Sequence, residues 1–268
     1  MPETVSRGAS TGTFATAART PVTGMPACGT VAPSATARPH RFRGRIGVGL
    51  AGGFYPAPHR YQLYLSEGCQ RSLRVSITLA LLGLEKSTAT TVLTRPAETP
   101  DAFASLRRAY EATWHHYDGP LTAPALCDRW SGRVVSNHTP DILRDLADLA
   151  DLAGRAELHD DEGSGVPALR PPALAAEIDA LRELLARDVT PASPSHARAA
   201  TLTLLDRQLA CVPYVLGDAI TAADVDLWVA LTHLGTADGA LSSYLHLDRY
   251  VRRLGLHPAF SGTGQAGR

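Results

Sequence analysis

The stretch from Tyr61 to Leu84, YQLYLSEGCQRSLRVSITLALLGL, constrains this chain more than any other. Tyr61, Leu63 and Leu65 alternate as they would on one face of a short strand. Leu73, Ile77, Ala80, Leu81 and Leu84 then recur at helical spacing, with Gly83 near the helix end. Cys69 lies between strand and helix. That position puts its sulfur beside the free N–H groups of a helix N-terminus, where a thiolate is favoured. Arg71 and Arg74 add positive charge to the same first turn.

The chain has 268 residues, 44% of them hydrophobic, enough for one large domain or two ordinary ones. Its 26 basic and 26 acidic residues balance, and no dense basic patch stands out, so nucleic acid is not an expected partner. No apolar run approaches the length of a membrane span. The first thirty residues lack the basic start and apolar core of a secretory leader, so a cytoplasmic location is expected. Four cysteines, Cys28, Cys69, Cys127 and Cys211, are scattered with no CxxC pair. Two disulfides are arithmetically allowed, but the length and scatter are unlike a stapled secreted scaffold. No His/Cys cluster has zinc spacing, and no metal is expected.

Residues 1–38 are rich in Ala, Thr, Ser, Gly and Pro and are read as a flexible N-terminal arm. The glycines of residues 41–60 do not make a phosphate-binding loop, because no GxxxxGK follows a strand. TTVLT, Thr90 to Thr94, reads as a second strand. A short helix is expected over Ala102 to Ala112, followed by Trp114, His115, His116 and Tyr117. LTAPALCDRWSGRVVSN then reads as a hairpin, with strands at Ala125 to Asp128 and Arg133 to Ser136. Pro124 belongs at the start of the first of these. Thr139 as N-cap and Pro140 at the first helical position open the next helix. Its apolar stripe is Ile142, Leu146, Leu149 and Ala153, with Asp141, Asp145 and Asp148 expected toward solvent.

Downstream of a polar linker the pattern is helical throughout. Leu174, Ile178, Leu181 and Leu185 mark one helix, and Leu202, Leu205 and Leu209 a second. Thr221-Ala222-Ala223-Asp224 reads as a capping box for a third, with Asp in the place of the usual Glu or Gln. Leu245 to Leu254 form a last. The expected division is an arm over 1–38, an α/β domain over 39–153, a linker over 154–170 and a helical domain over 171–268.

This order of parts resembles the glutathione transferase superfamily, whose members join a thioredoxin-like domain to an all-α C-terminal domain. The nearer likeness is to the glutathionyl-hydroquinone reductases, the omega-like Xi class. Their RYxLYVSxACPWAHR is similar to the segment from Arg60 to Arg74. Their VPVLWD and VVNNESSEI resemble Ala123 to Asp128 and Val134 to Ile142, and their LTEADWRLF resembles Ile220 to Trp228. The resemblance implies a catalytic thiol at Cys69; Arg71, through its charge on the first turn of the helix and not through the resemblance, is the residue expected to assist it. The resemblance also implies a cis proline at Pro124 that presents the backbone of Ala123 to a peptide-like thiol. It places His138 and Thr139 where the family has a Glu-Ser pair that grips the γ-glutamyl group. Three departures stand out. Gln70-Arg71 replaces Pro-Trp after the cysteine, His138 replaces the glutamate, and the family's tyrosines of the helical domain have no counterpart.

The cofactor implied is glutathione or another low-molecular-weight thiol such as mycothiol. The function implied is a thiol-dependent transferase or reductase acting on a quinone-like, aromatic or electrophilic small metabolite. A homodimer is the assembly such a family suggests. Trp114, Tyr117, Trp228 and His233 are the candidates for the substrate side of a cleft between the two domains. Cys69 itself has three open roles: nucleophile, hydrogen-bond donor to a bound thiolate, or small buried side chain. Two other functions stay open beside the first. One is an enzyme of secondary metabolism that keeps the fold but works by acid–base or template chemistry; the other is a non-catalytic binding protein. Cys127 and Cys211 are read as core or boundary residues.

Overall fold

The computed structural model describes residues 41–47, 53–157, 167–238 and 241–261. The expected N-terminal arm and most of the expected linker lie outside these residues.

Strand β1 (Tyr61–Ser66) runs into helix α1 (Gln70–Leu81) through a turn that Gly68 makes at φ 68°, a left-handed conformation that glycine adopts without steric cost. Strand β2 (Ala89–Leu93) returns parallel to β1, as a β–α–β crossover requires. Helix α2 (Pro100–Thr113) follows, then strands β3 (Ala125–Asp128) and β4 (Arg133–Ser136). The sheet order is β2-β1-β3-β4, with β3 antiparallel to both β1 and β4. Leu63 pairs with Thr90 on one side and Leu126 on the other, so β1 is a central strand. Both of its edges are therefore paired, and each face packs into a cluster. Tyr61, Leu63 and Leu65 enter the main core, and Tyr64 enters a second cluster with Phe103, Leu106 and Tyr110 of α2.

Helix α3 (Thr139–Glu157) leads to the helical region, α4 (Ala175–Asp188), α5 (Ser195–Leu209), α6 (Ala222–Asp238), α7 (Leu245–Gly255) and α8 (Pro258–Ser261). A thioredoxin-like sheet with a helical C-terminal domain is thus present, as expected. Helix α1 packs on α3, α6 and α8, and one continuous apolar core runs from Leu63 and Ile77 to Val229 and Phe260. No helix among the described residues is long and apolar enough to cross a membrane.

Asp224 organises the helical domain. Its Oδ2 accepts hydrogen bonds from the Thr221 N–H at 2.8 Å and the Thr221 hydroxyl at 3.1 Å, so the Asp224 half of the capping box forms, while the Asp224 N–H donates to the Thr221 carbonyl and not to its hydroxyl. Its Oδ1 accepts from the Val215 N–H at 2.9 Å and the Tyr250 hydroxyl at 2.7 Å, binding a loop and α7 to the start of α6.

The reading of α3 needs correction. Asp141 and Asp145 are 2% and 0% exposed, not solvent-facing. Arg43 forms a two-pronged pair with Asp141, at 2.7 and 3.0 Å, and Arg45 Nε contacts Asp145. Two arginines roughly a hundred positions earlier cover what the helical periodicity presents as a polar face. Burial pushes the Asp145 carboxyl up to about 6 despite Arg45, and its Oδ2 makes no hydrogen bond.

Two outcomes follow for stability. Asp224→Ala leaves the Val215 N–H and Tyr250 hydroxyl buried without partners, and should cost about 2–4 kcal/mol in urea unfolding. Asp145 has a folded pKa above its unfolded value, so its ionisation opposes folding above about pH 6 and ceases to do so below about pH 4. The stability of the native protein relative to Asp145→Asn should therefore rise as pH falls across that window, by no more than about 3 kcal/mol. Parallel denaturation curves at several pH values check it.

Candidate active site

The site is built where three backbone segments meet beside the start of α1. Cys69 is the N-cap residue of α1 in an extended conformation, and its carbonyl accepts the first helical bond from the Leu73 N–H at 2.8 Å. Ser72 folds back so that its hydroxyl accepts from the Ser66 N–H at 2.9 Å, fixing the strand-to-helix turn. The Ala123–Pro124 bond is cis, and Ala123 is 1% exposed at the start of β3. Asn137 joins the pieces. Its side-chain oxygen accepts from the Phe42 N–H at 2.9 Å, and its amide donates to the Thr122 hydroxyl at 3.0 Å and the Tyr110 hydroxyl at 3.2 Å.

The entry into α3 differs from the expected cap. The carbonyl of His138 accepts from the Asp141 and Ile142 N–H groups at 3.0 and 3.1 Å, so His138, not Thr139, occupies the capping position. Thr139 is the first helical residue. Its Oγ1 is buried and makes no hydrogen bond, which is uncommon for a buried hydroxyl. His138 Nδ1 lies 3.0 Å from Asp141 Oδ2 without the alignment of a hydrogen bond. The Arg43 guanidinium, reinforced by His138, holds the Asp141 carboxyl below its ordinary value.

These segments form one wall of a cleft of about 350 Å³. Thr122, Asn137, His138, Thr139, Pro140 and Leu143 line it on the α/β side together with Arg41, Arg71 and Arg74. Arg182 of α4 and Asp226 of α6 close it from the helical domain. Asp226 is 2% exposed; its Oδ2 accepts from Arg182 Nε at 2.8 Å, and its Oδ1 lies 2.9 Å from Arg74 Nε. The Arg74 contact is electrostatic, since that Nε–H is not aligned for a hydrogen bond. Burial, and then the neighbouring Arg41 and Arg74, shift the Arg71 guanidinium down from its usual value, with Tyr110 opposing.

The structure thus brings together Arg71, His138 and Thr139, with Ala123 and Pro124 next to the lining residue Thr122. It does not gather the aromatic candidates. Tyr117 packs in the α2-side core and donates its hydroxyl to the Pro120 carbonyl at 2.6 Å. Trp228 is in the main core, edge-on to Phe260, with its indole N–H on the Val251 carbonyl at 3.2 Å. Trp114 is 54% exposed at the end of α2, and His233 is exposed on α6. None of the four lines the cleft. Sequence reasoning missed Arg41, Asn137, Arg182 and Asp226. Asn137 abuts His138 and Asp226 follows the capping box by two positions, so both were near a signal; Arg182, beside the apolar stripe of α4, had none.

Cys69 is 4% exposed and disulfide-bonded, whereas Cys127 and Cys211 are free. Cys127 is the inert one: burial in β3 pushes its thiol up to about 12. Among the described residues no cluster of three or more His, Cys, Asp or Glu could hold a metal ion.

Comparison with known proteins points the same way as the geometry. Residues 198–253 match the family model for the glutathione S-transferase C-terminal domain. The chain is 27% identical over 250 residues to the glutathionyl-hydroquinone reductase YqjG of Escherichia coli strain K12, covering 79% of this chain and 74% of that protein. It is 27% identical over 253 residues to the glutathionyl-hydroquinone reductase PcpF of Sphingobium chlorophenolicum, covering 80% and 78%. Among solved structures, the Xi glutathione-S-transferase of Phanerochaete chrysosporium superposes with a TM-score of 0.65 at 26% identity, covering 85% of this chain and 83% of that one. The glutathione-bound structure of YqjG does so with a TM-score of 0.65 at 25% identity, covering 83% and 84%.

Thr139→Val separates binding from stability. Replacing an unpaired buried hydroxyl by a methyl of the same shape should leave stability unchanged or raise it by about 1 kcal/mol. The same variant should weaken binding of a γ-glutamyl thiol by roughly tenfold in calorimetric titration, the loss of about one hydrogen bond to a charged group.

Proposed function

We propose that this chain, which has the glutathione transferase fold and carries that family's C-terminal domain, is a thiol-dependent reductase or transferase with Cys69 as its reactive sulfur. The observation that carries the reading is the unpaired, buried hydroxyl of Thr139, facing a cleft beside the helix that Cys69 begins. Such a hydroxyl, with the helical N–H groups behind it, suits the carboxylate end of a small thiol. Glutathione is the thiol to which the relatives point, since YqjG has been seen with it bound. Mycothiol is the alternative thiol, because His138 cannot supply the carboxylate that a free ammonium group requires.

The chemistry follows for an aromatic thioether of quinone origin. The Cys69 thiolate attacks the thioether sulfur on the thiol half, forming a Cys69–thiol disulfide. The carbon–sulfur bond breaks, and the aromatic carbon takes a proton to leave as the free hydroquinone. A second thiolate attacks the mixed disulfide, releasing the oxidised thiol and restoring the Cys69 thiolate. Two thiol sulfurs are oxidised and one aromatic carbon is reduced, so the electrons balance. Because Cys69 is disulfide-bonded, its sulfur enters this cycle only after a thiol opens that bond. Arg71 and Arg74, on the first turns of α1, favour the thiolate so released. A cytoplasmic setting, rich in reducing thiol, suits such a cycle, and a homodimer is the assembly proposed with it.

A second reading has one observation in its favour. His138 is held against Asp141 at the edge of the cleft, an arrangement that serves acid–base chemistry without a thiol. One experiment separates the two. Intact-mass measurement after incubation with glutathione or mycothiol should show one thiol adduct, lost in Cys69→Ser. Turnover of a glutathionylated hydroquinone should fall on the order of 10²-fold or more in the same variant. Full activity of Cys69→Ser, with loss of activity in His138→Gln, would move the assignment to the second reading.

A further inference from the structure

A second threonine hydroxyl stands on the cleft wall that carries Thr139. Thr122 directly precedes Ala123 and the cis bond to Pro124, is 7% exposed, and lines the cleft. Strand β3 pairs antiparallel with β1 up to the Tyr64–Ala125 position. The residues just before Ala125 and those just after Tyr64 therefore approach the same end of the sheet, the end at which β1 hands over to Cys69.

The Thr122 hydroxyl belongs to a network in which the protons can be counted. Asn137 Oδ1 takes the Phe42 N–H at 2.9 Å, which turns the Asn137 amide nitrogen toward Thr122 and Tyr110. That nitrogen donates to Thr122 Oγ1 at 3.0 Å and to the Tyr110 hydroxyl at 3.2 Å. The Tyr110 oxygen also accepts from the Thr122 N–H at 3.3 Å. A hydroxyl oxygen that receives two donors has no lone pair left for a third. The Tyr110 proton is given to Thr122, whose hydroxyl is 2.8 Å away and whose carbonyl is 3.0 Å away. Burial raises the Tyr110 phenol above its ordinary value, against its hydrogen bonds with Thr122 and Asn137, so that proton is present at neutral pH.

The proton of the Thr122 hydroxyl is then left without an acceptor. Among the described residues its oxygen meets only the Tyr110 hydroxyl and the Asn137 amide nitrogen, and that nitrogen only donates. The direction that remains for the O–H is the cleft. Donors converging on an oxygen polarise its own O–H bond and make it a stronger donor. Thr122 has a proton to give and little to take, so it suits an acceptor with no proton of its own.

We propose that Thr122 is a ligand-binding residue of this site, its hydroxyl donating to an amide carbonyl oxygen of the bound thiol, with Asn137 and Tyr110 as the positioning residues that hold it in the donor role. The assignment rests on the reading above that a peptide-like thiol occupies this wall. Thr139 and the helical N–H groups behind it take the carboxylate end, and Thr122 takes the amide nearer the sheet.

The test uses S-methylglutathione and S-methylmycothiol, whose blocked sulfurs cannot open the Cys69 disulfide. In titration calorimetry Thr122→Val should bind the preferred probe about tenfold more weakly than the native protein, the loss of about one buried hydrogen bond, and Thr122→Ser should restore affinity to within about threefold. In turnover of a glutathionylated hydroquinone the loss should appear as a rise in KM with kcat within about threefold of native, because the contact is made equally in the ground and transition states. Tyr110→Phe separates ligand contact from architecture. It removes the bonds to the Thr122 carbonyl and N–H, and should lower the urea midpoint at least as far as Thr122→Val does while leaving probe affinity within about threefold. Thr122→Ala, where water can meet Asn137 and Tyr110, takes the place of Thr122→Val should that variant not fold, with a loss of about fivefold or more expected. Native affinity in the variant without the hydroxyl, or equal losses in that variant and Tyr110→Phe, would overturn the inference while leaving the thiol reading intact. A native protein that binds neither probe would end the thiol reading and the inference with it.

Discussion

Asp226 is the point on which the two halves of this protein meet. It sits on α6, almost wholly buried, with Arg182 of α4 hydrogen-bonded to one oxygen and Arg74 of α1 against the other. A buried carboxylate is costly to desolvate, and the cost is offset only where partners surround it closely. Here the partners come from both domains, so the geometry that stabilises Asp226 also sets the distance between α1 and the helical domain. That distance defines the cleft. The apolar core shared by α1 and α6 makes the contact strong, while the ion cluster fixes its register, since apolar packing alone tolerates alternatives that a charged triad does not.

The first described segment, residues 41–47, is held by the same kind of logic. Arg43 and Arg45 reach Asp141 and Asp145 on α3, and Asn137 takes the Phe42 N–H. The segment has little apolar surface to bury beyond Phe42 and Ile46, so charge pairs and one side-chain amide supply much of its attachment. Its placement carries Arg41 to the mouth of the cleft. The segment thus contributes to the site through contacts made about a hundred positions away, without any helix or strand of its own beyond a single bridge between Arg43 and Ser136.

That separation explains what the sequence could and could not convey. The strands Ala125–Asp128 and Arg133–Ser136 fall where the alternation and the turn place them, and α1 begins next to Cys69 as the change of period requires. Local signals suffice there because the pleat and the helix are local. Asp141 and Asp145 were read as a solvated face because their spacing in an amphipathic helix is the same whether water or an arginine covers them. Trp228 and Tyr117 misled in the opposite sense: each has a polar tip and an apolar body, and periodicity cannot tell a cleft wall from a core. The cap of α3 was misplaced by one residue, and that single step matters, because it turns the Thr139 hydroxyl from a helix cap into a group with no hydrogen-bond partner among the described residues.

Two cysteines within the α/β domain show how environment decides reactivity. Cys127 lies on a central strand whose burial disfavours the thiolate so strongly that it is chemically silent near neutral pH. Cys69, equally withdrawn from solvent, is the N-cap of a helix whose next residues include Arg71 and Arg74, and it is disulfide-bonded. Exposure therefore does not distinguish the two; the helix start gives Cys69 neighbouring backbone N–H groups that a paired strand does not offer Cys127. Arg74 of that same helix is the group through which Asp226 ties α1 to the helical domain, so the turn that carries Cys69 is held in place from the far side of the cleft.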